Sequence, residues 1–143
     1  MQKAATTEEL QTAFEHHTEQ TQEHVARLEQ VFQLLEKKAQ AKKCDAMEGL
    51  IKESQSIIEE TEKGSMTRDV ALIMAAQKVE HYEIATYGGL VSLARTLGND
   101  EVAELLAETL EEEKQTDLDL TGIAENNINW EAEQEDSEEE EEA

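Results

Sequence analysis

The run AAQKVEHYEIATYGGLVSLA, residues 75–94, carries the pattern from which an all-helical fold follows. Its one-sided stripe reads Ala76, Glu80, Glu83, Tyr87, Leu90, Ala94. Steps of three and four residues return to one face of an α-helix, whereas a strand would return every second residue. Two carboxylates, Glu80 and Glu83, thus stand where an amphipathic helix normally buries apolar side chains. The helix is expected over 67–97, closed by Gly98-Asn99-Asp100. Gly88-Gly89 lies inside it, a pair that costs roughly 1–2 kcal/mol against alanine, and close approach of a neighbouring helix is the expected compensation.

The same reading extends to both sides. Upstream, Leu10, Phe14, Val25, Leu28, Val31, Phe32 and Leu35 give a helix over about 7–37, with Thr6 as cap and Glu9 completing a capping box. Some thirty residues at 1.5 Å each reach about 45 Å, a length suited to a bundle of long antiparallel helices. A lysine-rich connector then leads to a shorter amphipathic helix over 45–62, ended at Gly64. Downstream, Ala103, Leu106, Leu110, Leu120 and Ala124 share a face of a helix over 100–126. From Trp130 the chain turns polyacidic and is expected to be disordered, which divides it into a helical domain, 1–129, and an acidic tail, 130–143.

Composition agrees. Proline is absent, glycine numbers 6 and aromatics make up 3 %, which favours helix over sheet. The net charge is −23; nine of the 35 acidic residues lie in 131–143, and the remainder still carries 26 acidic against 12 basic residues. A field of that sign repels nucleic acid and anionic membrane surfaces and attracts cations. No apolar run approaches the ~20 residues of a membrane span, and the first residues lack the apolar core of a signal peptide. The single cysteine, Cys44, cannot form an intrachain disulfide, which fits a reducing cytoplasm.

Two other stripes break as the first one does. In the first long helix His17 and His24 occupy core-facing positions seven apart; in the last, Glu113 and Asp117 do so four apart. All three breaks lie near mid-helix, so in an antiparallel bundle His17, His24, Glu80, Glu83, Glu113 and Asp117 meet at one level. Unpaired buried charge is costly, and a metal ion resolves it: carboxylates supply hard oxygen and imidazoles supply nitrogen. Bundles that hold two iron or manganese ions are built this way. Their usual Glu-x-x-His spacing is absent, since Thr21, Phe14 and Lys78 stand three before His24, His17 and His81. The plain alternative is a core histidine satisfied by hydrogen bonds and glutamates reaching solvent, with at least two of Glu111, Glu112 and Glu113 on a solvated face. His16 and His81 fall off the stripes and are expected at the surface.

Four segments, AAQKVEHYEIA (75–85), ETLEEEK (108–114), AMEGLI (46–51) and HVARLEQVF (24–32), together resemble the YciE/YciF family of ferritin-like bacterial stress proteins over about 1–129. The resemblance implies a ferritin-like up-down bundle with a short crossover helix, related to rubrerythrins. It implies a ferroxidase-like or peroxide- or O₂-reducing site holding iron or manganese, with inward polar residues at His17, His24, Glu80, Glu83, Glu113 and Asp117. Two departures follow. Gln20 stands where relatives often carry Glu, and relatives begin with a further helix bearing an inward Glu, most of which this chain lacks. A seam left open by that helix favours a homo-oligomer, with a dimer the simplest. The competing functional expectations are a non-catalytic stress bundle that works by association and, resting on the acidic tail, a sink for cations or basic proteins.

Overall fold

The computed structural model describes residues 1–142, with side chains placed through Glu135. After a short turn at Gln2–Ala4 come α1 (Glu8–Leu34), α2 (Asp45–Glu60), α3 (Met66–Thr96), α4 (Asp100–Ile123) and α5 (Asn129–Glu142). One π-helical turn, Ala124–Ile128, joins α4 to α5. No strand occurs among the described residues. α4 is the central helix: both α3 and α1 pack along it. The crossover helix α2 lies on α3, and α5, continuing α4 through the π-helical turn, packs on α3 as well.

The core is split. At one end Leu10, Phe14, Leu72, Ile73, Leu120 and Ile128 pack together. At the other, Val31, Tyr87, Val91, Ala94, Val102 and Leu106 do. The mid-helix positions between the two clusters hold the polar residues that interrupt each stripe. Within α3 the inner position after Tyr87 is Val91, 5 % exposed, and not Leu90, which is 40 % exposed.

Helix ends differ from expectation by short, explicable steps. Thr7, not Thr6, caps α1, its hydroxyl accepting from the Leu10 amide. The fully buried Asp69 carboxylate accepts from the amides of Thr6 (2.6 Å) and Thr7 (2.9 Å) and from the Thr7 hydroxyl (2.8 Å). The start of α1 is thereby fixed to the first turn of α3. α1 stops at Leu34, three residues early, because Glu36 enters the left-handed region at φ 52°. α2 stops at Glu60, where the buried Arg68 guanidinium donates to the carbonyls of Ile58 and Thr61 and to the Thr61 hydroxyl. A cation on the last carbonyls of a helix suits its negative end.

Two expectations are corrected. A Cβ placed on Gly88 or Gly89 would meet nothing within 4 Å, so no helix among the described residues approaches them closely. Residues 130–135, expected to be disordered, are helical. Ile128 and Ala132, one turn apart, are buried, and the Glu135 carboxylate accepts from the amides of Met66 (2.8 Å) and Thr67 (3.2 Å) at the start of α3. Self-repulsion of the acidic run is thus offset by an apolar anchor and by a carboxylate at a positive helix end. Ala143, the last residue of the expected tail, lies outside the described residues. Among the described residues no helix is long and apolar enough to cross a membrane.

Candidate metal centre

The polar layer is where α1, α3 and α4 meet. His17 of α1, Glu80 and Glu83 of α3 and Glu113 of α4 each bring a potential ligand atom within 4.8 Å of the others. Spacing explains the convergence. Glu80 and Glu83 lie one turn apart on α3's inner face, and Glu113 stands seven residues before the buried Leu120 on α4's inner face. The carboxylates of Glu80 (2 % exposed) and Glu113 (1 % exposed) are removed from water.

Glu80 Oε1 lies 3.2 Å from His17 Nε2, but its Oε2 and both oxygens of Glu113 are buried without a hydrogen-bond partner among the described residues. Orphaned carboxylate oxygens at this depth are exceptional and costly. Their electrostatics show it. Burial and the nearby charges of Glu113 and Glu80 push the Glu83 carboxyl up to about 7. Burial raises Glu80 as well, in spite of His17. Burial opposes ionisation of Glu113 too, but contact with His24 and Glu80 outweighs it and holds that group below the usual carboxylate range. Burial depresses both imidazoles, yet the acidic partners win and leave His17 and His24 raised.

His24, buried at 3 % exposure, sits beside the cluster. Its Nδ1 lies 3.2 Å from Glu113 Oε1, out of hydrogen-bonding alignment, while its Nε2 is 2.8 Å from Glu112 Oε2. Tyr87 meets the His24 ring edge-on at 6.5 Å, and burial pushes its phenol up to about 12. His17 has the same plan on its outer side: Nδ1 is 3.3 Å from the Thr116 hydroxyl, which donates to the Glu112 carbonyl. Each imidazole therefore has one nitrogen held by an outer partner and one facing a buried carboxylate. That is the arrangement of metal-bound histidines.

Of the six residues expected at one level, Asp117 stands apart. Its Oδ1 accepts from Gln77 Nε2 at 3.1 Å and its Oδ2 faces His81 Nε2 at 3.2 Å. One turn beyond Glu113, it lies on the α3-facing edge of α4 and not in the cluster. His81 is 68 % exposed, as expected, although Asp117 engages it. Sequence reasoning missed Arg27 and Glu112. Arg27 donates to both Glu112 oxygens (2.8 and 3.1 Å) and to the Thr109 hydroxyl (2.7 Å). A signal existed: Arg27 lies one turn after His24, and Glu112 adjoins Glu113. A cleft of about 610 Å³, lined in part by Phe14, Ala76, Val79 and Leu120, opens on the His17 and Glu80 edge.

The donor set is three carboxylates with one imidazole, a second imidazole adjoining, and orphaned oxygens turned inward. It fits a hard divalent or trivalent cation. Fold and site together define a ferritin-like helical bundle with a buried carboxylate–histidine layer. Residues 1–133 match the family model described as a domain of unknown function, DUF892. The chain belongs to that family. It is 52 % identical over 132 residues to protein YciF of Escherichia coli K12, covering 92 % of this chain and 79 % of YciF. The crystal structure of YciF, named there a stress protein, superposes with a TM-score of 0.84 over 90 % of this chain and 80 % of that one. YcfI of Rhodopseudomonas palustris superposes at 0.79 with 39 % identity, over 84 % of this chain and 76 % of that one.

Proposed function

We propose that this chain is a metal-binding member of its family, with iron or manganese held by His17, Glu80, Glu83 and Glu113 and with His24 at the site's α4 edge. The observation that carries the proposal is the convergence of four ligand atoms within 4.8 Å around buried oxygens that have no hydrogen-bond partner among the described residues. Asp117 is no longer part of the set.

A bound redox-active ion would supply the capacity to exchange electrons with O₂ or peroxide, as a ferroxidase or peroxide-reducing site requires. The chain's own residues do the rest. Glu80, Glu83 and Glu113 offer oxygen donors and His17 and His24 offer nitrogen. The two apolar clusters exclude water from both ends of the layer. The cleft beside His17 and Glu80 gives a small oxidant a route in.

A second reading is a non-catalytic bundle that acts by association in stress. The exposed apolar residues Leu90, Leu93 and Leu97 on one side of α3 favour it, as does the structural role suggested for YcfI. Titration of metal-free protein with Fe(II) under anaerobic conditions, followed by exposure to peroxide, separates the two. Tight uptake and oxidation that vanish in the Glu83→Ala, Glu113→Ala double variant support the metal reading. Absence of uptake by the wild-type chain leaves the second.

A further inference from the structure

We infer that Arg27 and Glu112 are positioning residues that aim His24 Nδ1 at the metal site as a nitrogen ligand. The inference rests on the metal reading above. His24 is held between adjacent carboxylates of α4, Glu112 on its Nε2 and Glu113 at its Nδ1. The two contacts differ in kind. The 2.8 Å Nε2–Glu112 contact has hydrogen-bond geometry, whereas the 3.2 Å Nδ1–Glu113 approach does not. Two donors each about 2.1 Å from one ion and at right angles to one another lie about 3 Å apart. The separation of Nδ1 from Glu113 Oε1 matches that of two ligands sharing an ion, and neither Glu113 oxygen has a hydrogen-bond partner among the described residues.

The Nε2 side is built to stay fixed. Arg27, one helical turn beyond His24, grips both oxygens of Glu112 and is itself held by Thr109, a buried hydroxyl. Glu108 adds a second carboxylate at 3.3 Å. The Arg27 side chain is 11 % exposed and that of Glu112 25 %, so the pair is largely withdrawn from solvent screening. A bidentate guanidinium–carboxylate pair allows little freedom of orientation. Glu112 in turn accepts the Nε2 proton, so that a metal ion beside Glu113 would take the Nδ1 lone pair in place of a proton. A carboxylate behind a histidine ligand has this orienting effect generally, and its removal weakens metal binding about 10–100-fold.

The test is Co(II) titration of the wild-type chain, His24→Ala, Glu112→Ala, Glu112→Gln, Arg27→Ala and the Glu83→Ala, Glu113→Ala double variant, with paramagnetic proton NMR of the loaded forms. Wild type is expected to bind Co(II) and show a strongly shifted, solvent-exchangeable imidazole N–H that is lost in His24→Ala. Glu112→Ala and Arg27→Ala are expected to weaken binding by about tenfold or more, with the shifted N–H lost or broadened by exchange. Glu112→Gln, which retains an acceptor, is expected to recover most of both. Metal-free melting separates misfolding from loss of positioning, because a folded variant melts cooperatively. If wild type binds Co(II) but Glu112→Ala binds equally well and keeps the shifted N–H, the positioning role is wrong while the metal reading survives. If wild type binds no better than the double variant, the metal reading fails and takes this inference with it.

Discussion

His17 Nε2 of α1 lies 3.2 Å from Glu80 Oε1 of α3, joining two helices that each pack mainly on α4. The contact couples the candidate site to the assembly of the bundle. In the metal-free chain it stands beside the carboxylates of Glu83 and Glu113; in the proposed metal-bound form His17 and Glu80 would be ligands of a common centre. The first expectation follows from that difference. Saturating Fe(II) or Mn(II), at about 100-fold over the dissociation constant, should stabilise the folded chain by about 2.7 kcal/mol and raise the melting midpoint by roughly 10 °C. Calorimetry with and without metal checks this, and the Glu83→Ala, Glu113→Ala variant should show no rise.

Metal-free protein should lose stability as pH rises. Glu83 titrates at about 7 in the folded chain against an ordinary 4.5, so the folded state binds more protons between those values. Its contribution is complete below pH 4.5 and is lost as pH rises through 7, a loss on the order of 3 kcal/mol. Glu80, His17 and His24, all raised, act in the same direction. Glu112 and Glu113, both lowered, contribute stability above the ordinary carboxylate range that is lost only as pH falls into acid. Urea unfolding with a chelator present should give a lower midpoint at pH 8 than at pH 5.5, and Glu83→Gln should flatten much of that slope. A midpoint rising from pH 5.5 to 8 would refute the assignment.

Asp117→Asn should leave metal affinity within about twofold of wild type, because Asp117 contacts Gln77 and His81 and no cluster member. Isothermal titration against Glu113→Gln makes the comparison. A loss as large as that of Glu113→Gln would restore Asp117 to the site.

Asp69→Ala should cost about 2–4 kcal/mol, since it strands the Thr6 and Thr7 amides and the Thr7 hydroxyl at a buried carboxylate. Urea denaturation measures the loss. Metal stoichiometry at low temperature should be unchanged, as Asp69 lies a helix length of three turns from Glu80.

Glu135→Ala should cost about 1 kcal/mol by uncapping α3, and the loss should shrink as salt is added. Melting at two ionic strengths checks it. No loss at low salt would show that α5 does not hold the start of α3.

The fold was readable because each long helix repeats apolar residues every three or four positions, and the candidate site was readable because those repeats fail together at His17, Glu80, Glu83 and Glu113. Asp117 misled: four residues after Glu113 on a helix is close to the same face but not on it, and the small rotation was enough to give Asp117 to Gln77. Arg27 and Glu112 were hidden because neither lies on a core stripe; their role depends on the tertiary meeting of α1 with α4. The helix at 129–135 was hidden by charge. Repulsion among glutamates dominates any composition-based reading, while the compensation from Ile128, Ala132 and the α3 N-terminus exists only after folding.

The central claim concerns the buried layer, and equilibrium dialysis of full-length protein against Mn(II) or anaerobic Fe(II) tests it most directly. Wild type should retain about one or two ions per chain, and the Glu83→Ala, Glu113→Ala variant almost none. Equal retention by the two proteins, or none by either while both remain folded, would contradict it.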